Sequence, residues 1–132
     1  MMEPRSDMAY KRKLDKDIRC PLEYGIDVFG GRWKPRIICV LAEEPLRYSD
    51  LKRELVDITD TALATALKEL QETEMVARKQ YEEIPPRVEY SLTRKGESTI
   101  PLLQEICKWS GIFYRDVSDT APHKCQRCDF VG

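Results

Sequence analysis

A mainly α-helical domain with one small β-hairpin is the fold class this sequence predicts, and three observations predict it. Two short amphipathic helical segments, near residues 49–55 and 59–72, stand a few residues apart. Two strand-like runs flanking a Pro-Pro turn follow directly. A long closing segment is helical in period and apolar on two sides. Helix, turn, helix, hairpin is the order of a winged helix-turn-helix. Any small helical bundle contains such helix pairs, so the order carries more information than its parts.

The 132 residues suffice for one domain with a real core. With 42% hydrophobic and 34% charged residues, the chain reads as a soluble globular domain. No apolar run approaches the roughly 18 residues that span a bilayer, and the first residues, MMEPRSDMAYKRKLDKD, lack the apolar centre of a signal peptide. A cytoplasmic protein without a membrane partner is expected. The formal net charge of −1 does not suit a generally basic nucleic-acid binder. Contact with DNA must come from local charge, and residues 5–19 and 78–95 are the locally basic stretches.

The elements follow in order. Residues 1–17 are charged and aperiodic and are expected to form a mobile arm. The folded domain spans 18–117. Pro21 suits the first position of a helix carrying Leu22, Ile26, Val28 and Phe29, and Gly30-Gly31 ends it. A second helix runs from about Trp33 to Ala42. A third opens at Tyr48 or Ser49, with Leu51 and Leu55 on one face. Thr59 is a good N-cap for a fourth, to about Glu72, whose inward stripe is Leu63, Ala66, Leu67 and Leu70. Met75–Tyr81 and Arg87–Leu92 read as strands, with 82–86 between them as the turn. The last helix should run from Thr93 to about Val117, kinked near Pro101. Ile100, Leu103 and Cys107 lie on one of its stripes; Leu102, Ile106, Trp109 and Phe113 lie on the other. One stripe can face the domain; the other needs a partner, so N- and C-terminal helices are expected to form a homodimer.

Cys20-Pro21-Leu22-Glu23-Tyr24, Gly30-Gly31-Arg32-Trp33-Lys34, Arg47-Tyr48-Ser49-Asp50-Leu51 and Pro85-Pro86-Arg87-Val88-Glu89-Tyr90-Ser91-Leu92-Thr93, followed by Gly96, occur in that order. Over residues 18–115 the chain resembles the HxlR-type winged-helix transcriptional regulators, which are MarR-like. The resemblance implies a dimeric repressor or activator on a pseudo-palindromic operator in double-stranded DNA.

A recognition helix over 59–72 would present Thr59, Asp60, Thr61, Ala64, Thr65 and Lys68 to base edges in the major groove. Relatives often place Gln, Lys or Arg at several of these positions, whereas only Lys68 is basic here. Asp60 can accept from a cytosine amino group, or it can simply favour the positive end of the helix. The wing, 78–90, offers Arg78, Lys79 and Arg87 to the minor groove or to phosphates. Ser49, Lys52 and Arg53 belong to the helix that crosses the backbone. The alternative is a winged-helix module that binds protein without strong DNA readout.

Five cysteines, an odd count, argue against a disulfide framework. Cys20 precedes a helix start and follows Arg19, and both favour thiolate. Some HxlR-type relatives sense redox state through a cysteine at the matching position, so Cys20 is the redox candidate; the alternative is a small buried hydrophobe. Cys39 and Cys107 fall on apolar faces and are expected in the core. The tail, 118–132, carries His123, Cys125 and Cys128, a knuckle-like set for zinc if a second knuckle joins it; the alternative is a tail with two thiols. No cofactor is otherwise required. No Ser/His/Asp set exists, and Cys125-x-x-Cys128 lacks a thioredoxin-like βαβ context, so an enzyme is not expected.

Overall fold

In a computed structural model, residues 17–114 are described, with side chains to Gly111. The arm before Asp17 and the tail with His123, Cys125 and Cys128 lie outside these residues. The order is α1 (Pro21–Val28), α2 (Lys34–Leu41), β1 (Leu46–Arg47), α3 (Tyr48–Glu54), α4 (Asp60–Glu72), β2 (Val76–Tyr81), β3 (Arg87–Leu92), α5 (Arg94–Ser98) and α6 (Ile100–Tyr114).

Local chemistry sets the helix ends. Pro21 opens α1, and Cys20 is its N-cap in extended conformation. Thr59 caps α4, its hydroxyl accepting from Ala62 N at 3.1 Å. At the other end Met75 N donates to Leu70 O (2.8 Å) and Glu74 N to Gln71 O (3.0 Å), a Schellman pair that puts Glu74 at φ 63°. The helix therefore stops sharply, and the chain turns straight into β2.

The strands form an antiparallel sheet in the order β1-β3-β2. Val76 stands opposite Leu92 and Tyr81 opposite Arg87, with Leu46 and Arg47 opposite Tyr90 and Glu89. The two-residue β1 was not anticipated, because its strand character comes from its partner β3. The core combines Ile37, Ile38 and Leu41 of α2, Leu51 and Leu55, Ile58, the α4 stripe Leu63, Ala66, Leu67 and Leu70, and Met75, Val76 and Tyr90. Against this core the buried Lys34 reaches a half-buried partner: its Nζ lies 2.8 Å from a Glu69 carboxylate oxygen, joining α2 to α4.

The expected single closing helix is two. Thr93 caps α5, its hydroxyl accepting from Gly96 N at 3.0 Å, and the helix ends at Thr99. Pro101 occupies the second position of α6, where a missing N–H costs nothing, so the break precedes the proline by one step. Lys95 Nζ donates to Thr73 O (2.8 Å) and to the Tyr24 hydroxyl (2.9 Å), so it ties α1 to α5 and to the end of α4.

Gly96 is buried against the start of the wing. A Cβ there would lie 2.2 Å from Met75 O, a backbone atom that no rotamer change can move. Gly96→Ala should therefore destabilise the domain at the upper end of the ~1–3 kcal/mol typical of overpacking. Thermal unfolding followed by circular dichroism measures this, and an unchanged melting temperature would contradict the close approach.

Candidate nucleic-acid interface

The second helix of the helix-turn-helix, α4, turns its buried stripe inward and leaves Asp60, Thr61, Ala64, Thr65 and Lys68 exposed together. This is the face expected from the sequence. Thr59 is also exposed, with its hydroxyl engaged as the cap. Asp60, with 74% of its side chain open to solvent, does not stand alone. The Tyr48 hydroxyl lies 3.2 Å from Asp60 O and 3.4 Å from Asp60 Oδ1, and Lys52 Nζ is 3.5 Å from Oδ1. Tyr48 and Lys52 both come from α3, so the first helix of the motif holds the N-terminal turn of the second. Twelve residues separate Tyr48 from Asp60, and no local pattern announces the contact.

Ser49 is exposed on α3. Arg53 pairs with Asp50 one turn earlier on the same helix. Near the start of α2, Arg32 and Arg36 stack on Trp33, at 4.5 and 4.9 Å from the ring centroid.

The wing divides its basic residues between two faces. Arg78 is opposite Tyr90, on the side that includes Val76 and Leu92; Lys79 is opposite Glu89, on the side shared with Tyr81 and Arg87. Arg87 is half-buried there. Its guanidinium lies 4.0 Å from the Tyr81 ring centroid and bonds to Glu83 (2.9 Å) and Glu89 (3.0 Å). Its Nε finds no acceptor among the described residues. Thus Arg87 braces the hairpin with two carboxylates, an arrangement that composition alone did not reveal. At the tip Ile84 is 99% exposed.

Cys20 is exposed as the α1 N-cap, but Arg19 does not turn its charge to the thiol. The guanidinium bonds to Asp17 at 2.7 Å, and Glu23 accepts from Arg19 N at 2.6 Å. Leu22 and Ile26 are exposed on α1, and Leu102, Ile106 and Trp109 on α6, the last at 64%. The inward α6 stripe, Ile100 and Leu103, packs on the core as expected. Cys39 and Cys107 are half-buried rather than fully enclosed. Among the described residues no helix is long and apolar enough to cross a membrane, and no group of three or more His, Cys, Asp or Glu could hold a metal ion.

A helix-turn-helix whose second helix exposes a polar face, followed by a β-hairpin wing, defines a winged-helix DNA-binding protein. The profile of HxlR-like helix-turn-helix proteins matches residues 28–124, and the chain belongs to that family. An HTH-type transcriptional regulator of Halalkalibacterium halodurans is 44% identical over 101 residues, covering 76% of this chain and 89% of the relative. YkvN, an HTH-type transcriptional regulator of Bacillus subtilis, is 43% identical over 98 residues, covering 74% and 83%. Among solved structures, a MarR-family regulator from Porphyromonas gingivalis W83 is similar with TM-score 0.68 and 38% identity, covering 75% of this chain and 96% of that one. The redox regulator HypR in its reduced form has TM-score 0.69 and 34% identity, covering 74% and 96%. Reduced YodB from B. subtilis has TM-score 0.68 and 34% identity, covering 75% and 98%. The chain is a transcriptional regulator with a helix-turn-helix DNA-binding fold, and its family is one of regulators, not enzymes.

Burial pushes the Tyr48 phenol above its ordinary value of 10.0, and the Asp60 carboxylate adds to the rise. A raised value in the folded state favours the neutral phenol, so this contribution to stability is complete below pH ~10 and is lost as pH rises through the folded value. NMR of ring-labelled tyrosine should show Tyr48 ionising above the ordinary value, and Asp60→Asn should lower it only in part. Titration at the ordinary value in the wild type would remove the Tyr48–Asp60 contact.

Proposed function

We propose that the chain binds a pseudo-palindromic operator as a homodimer, with α4 in the major groove of each half-site and the wing over the minor groove or phosphates. The observation that carries this reading is the exposed face Asp60, Thr61, Ala64, Thr65 and Lys68 on the second helix of the motif. Asp60, held by Tyr48 and Lys52, presents an acceptor that suits a cytosine amino group and opposes the acceptors of guanine. Ala64 and the threonine methyls suit a thymine methyl. Lys68, Ser49, Arg78 and Lys79 supply phosphate contacts, and Lys52, Arg53 and Arg87 join them by exchanging a carboxylate for a phosphate. The exposed apolar faces of α1 and α6 supply the dimer contact, since Leu22, Ile26, Leu102, Ile106 and Trp109 leave apolar surface exposed among the described residues.

Mobility-shift titration on selected sites tests the whole reading. Affinity should fall with salt through counterion release, and Lys68→Ala should reduce the slope by about one unit. Sedimentation should give a dimer at micromolar concentration, and Trp109→Glu should give a folded monomer with weaker operator binding. A salt-independent affinity would leave a protein-binding winged helix, and a wild-type monomer would end the dimer.

The regulator also responds to oxidants through Cys20 in this proposal. Similarity to HypR and YodB supports it; the latter has been solved reduced, diamide-treated and quinone-bound, and HypR is described as a redox regulator. The exposed Cys20 sulfur would attack a peroxide: an S–O bond forms to one oxygen as the O–O bond breaks, giving a sulfenic acid, and the other oxygen takes up protons and leaves as water. Cys20 heads α1, so its oxidation acts beside the proposed dimer face. Peroxide should change operator affinity in the wild type and not in Cys20→Ser; an equal response in both would assign the effect elsewhere. Zinc at His123, Cys125 and Cys128 remains a proposal from the sequence, to be decided by metal analysis of untagged protein.

A further inference from the structure

Ile84 is the most exposed large hydrophobic residue among those described, 99% open to solvent at the tip of the wing, on a different element from the apolar faces of α1 and α6. The tip that carries it is braced. Tyr81 stands opposite Arg87 at the last rung of the hairpin. The Arg87 guanidinium stacks on the Tyr81 ring and reaches Glu83 and Glu89, and Glu83 N donates to Tyr81 O at 3.0 Å. Pro85 and Pro86 follow Ile84, each with its φ fixed by the ring. A loop held in this way has little backbone freedom left to lose on binding.

We propose that Ile84 enters the minor groove of the operator and packs on its floor, so that the wing prefers A·T over G·C at the pair it covers. The inference rests on the operator reading above and deepens it. Reach is the first argument. The six residues of β2, at ~3.3 Å each, carry the tip roughly 20 Å from the base of the wing at the end of α4. Half a turn of duplex, the step from one groove to the next, is about 17 Å. With α4 in the major groove, the tip comes level with the adjacent minor groove.

Charge is the second argument. From residue 79 to residue 89 the hairpin has two cations, Lys79 and Arg87, against three carboxylates, Glu82, Glu83 and Glu89. Arg87 is already shared between Glu83 and Glu89. Such a tip gains little from phosphates, whose attraction depends on surplus cations. What it offers DNA is apolar surface.

Groove chemistry is the third argument. The minor groove, ~6 Å wide, admits an aliphatic side chain, and isoleucine is among the residues that make apolar contacts there. The floor of an A·T pair carries acceptors and no amino group, whereas a G·C pair adds the guanine amino donor. That amino group stands up in the middle of the floor. It fills the space Ile84 needs, and against an aliphatic side chain it would be left without an acceptor. The tip therefore discriminates by exclusion rather than by a hydrogen bond.

The test is a mobility-shift titration of the full chain on an operator duplex obtained by selection, with diaminopurine replacing adenine at one A·T pair after another. This analogue adds only the minor-groove amino group and keeps the major-groove edge that α4 would read. At the pair under the wing it should weaken wild-type binding at least about fivefold, the low end for a mismatched pair. Ile84→Ala should bind the unmodified operator at least about fivefold more weakly, through lost apolar burial, and should no longer respond to the analogue at that pair. Its salt slope and melting temperature should match the wild type, because no charge and no core contact is removed. An effect of the analogue on the duplex itself would persist in Ile84→Ala and would overturn the inference. Wild-type affinity in Ile84→Ala, or no response of the wild type to the analogue at any pair, would overturn it too. These outcomes leave α4 and the operator reading standing, whereas loss of that reading would show as the absence of salt-dependent DNA binding by the wild type.

Discussion

The carbonyl of Met75 is the point on which the functional half of this fold depends. Met75 is fully buried at the exit of α4. Its oxygen accepts from Thr93 N at 3.0 Å and from the Thr93 hydroxyl at 3.2 Å, and Gly96 sits against it where no Cβ fits. The same Thr93 hydroxyl caps α5 and lies 2.7 Å from Glu74 O. Three elements thus converge on two peptide units: the end of the recognition helix, the base of the wing and the start of α5. Two of these constraints, the Thr93 N–H bond and the close approach of Gly96, are backbone geometry, which side-chain motion cannot relax. The wing therefore keeps a fixed attitude to α4, which the proposed contact with two adjacent grooves would require.

A nearly neutral chain that binds DNA poses an electrostatic question, and the pairing of its cations answers it. Lys52 lies beside Asp60, Arg53 beside Asp50, and Arg87 between Glu83 and Glu89. The more exposed pairs, those of Lys52 and Arg53, contribute only about 0–1 kcal/mol each, so a phosphate can replace their carboxylates at small cost. In the proposed complex the carboxylate released would face the DNA and oppose binding. On the proposed reading, that balance would favour a modest non-specific affinity and give base contacts by the Asp, Thr and Ala face of α4 a larger share of the total. Arg87 differs from the others. It is half-buried, stacked on Tyr81 and doubly paired, so its first task is to hold the hairpin, and any phosphate contact is secondary.

Much of this was legible in the sequence wherever one residue or one period decides the outcome. Thr59 caps α4 because a hydroxyl there can reach the N–H of Ala62. Leu63, Ala66, Leu67 and Leu70 face inward because 3.6 residues per turn puts them on one line. Gly96 appeared as a motif residue, and its reason is the Met75 carbonyl. What escaped depends on partners distant in sequence. Leu46–Arg47 is a strand only because Tyr90 and Glu89 lie beside it. Tyr48 reaches Asp60 across the turn of the motif, and Arg19 turns to Asp17 instead of Cys20. Pro101 was read as a kink, but proline is harmless at the second position of a helix, and the chain uses it to begin α6.

The two stripes of α6 place opposite demands on one helix. Ile100 and Leu103 bind it to the core that α2 and α4 share, and Leu102, Ile106 and Trp109 leave an apolar surface outside. α2 is joined to α4 by Lys34–Glu69, a pair so little exposed that removing one partner would strand a buried charge. A shift of α6 against α2 must be taken up at the seam lined by Cys39 and Cys107, the incompletely filled part of that contact. Elsewhere the core is closely packed, and packed interiors transmit displacement more readily than they absorb it. The seam is thus the place where the packing between α2 and α6 is least complete among the described residues.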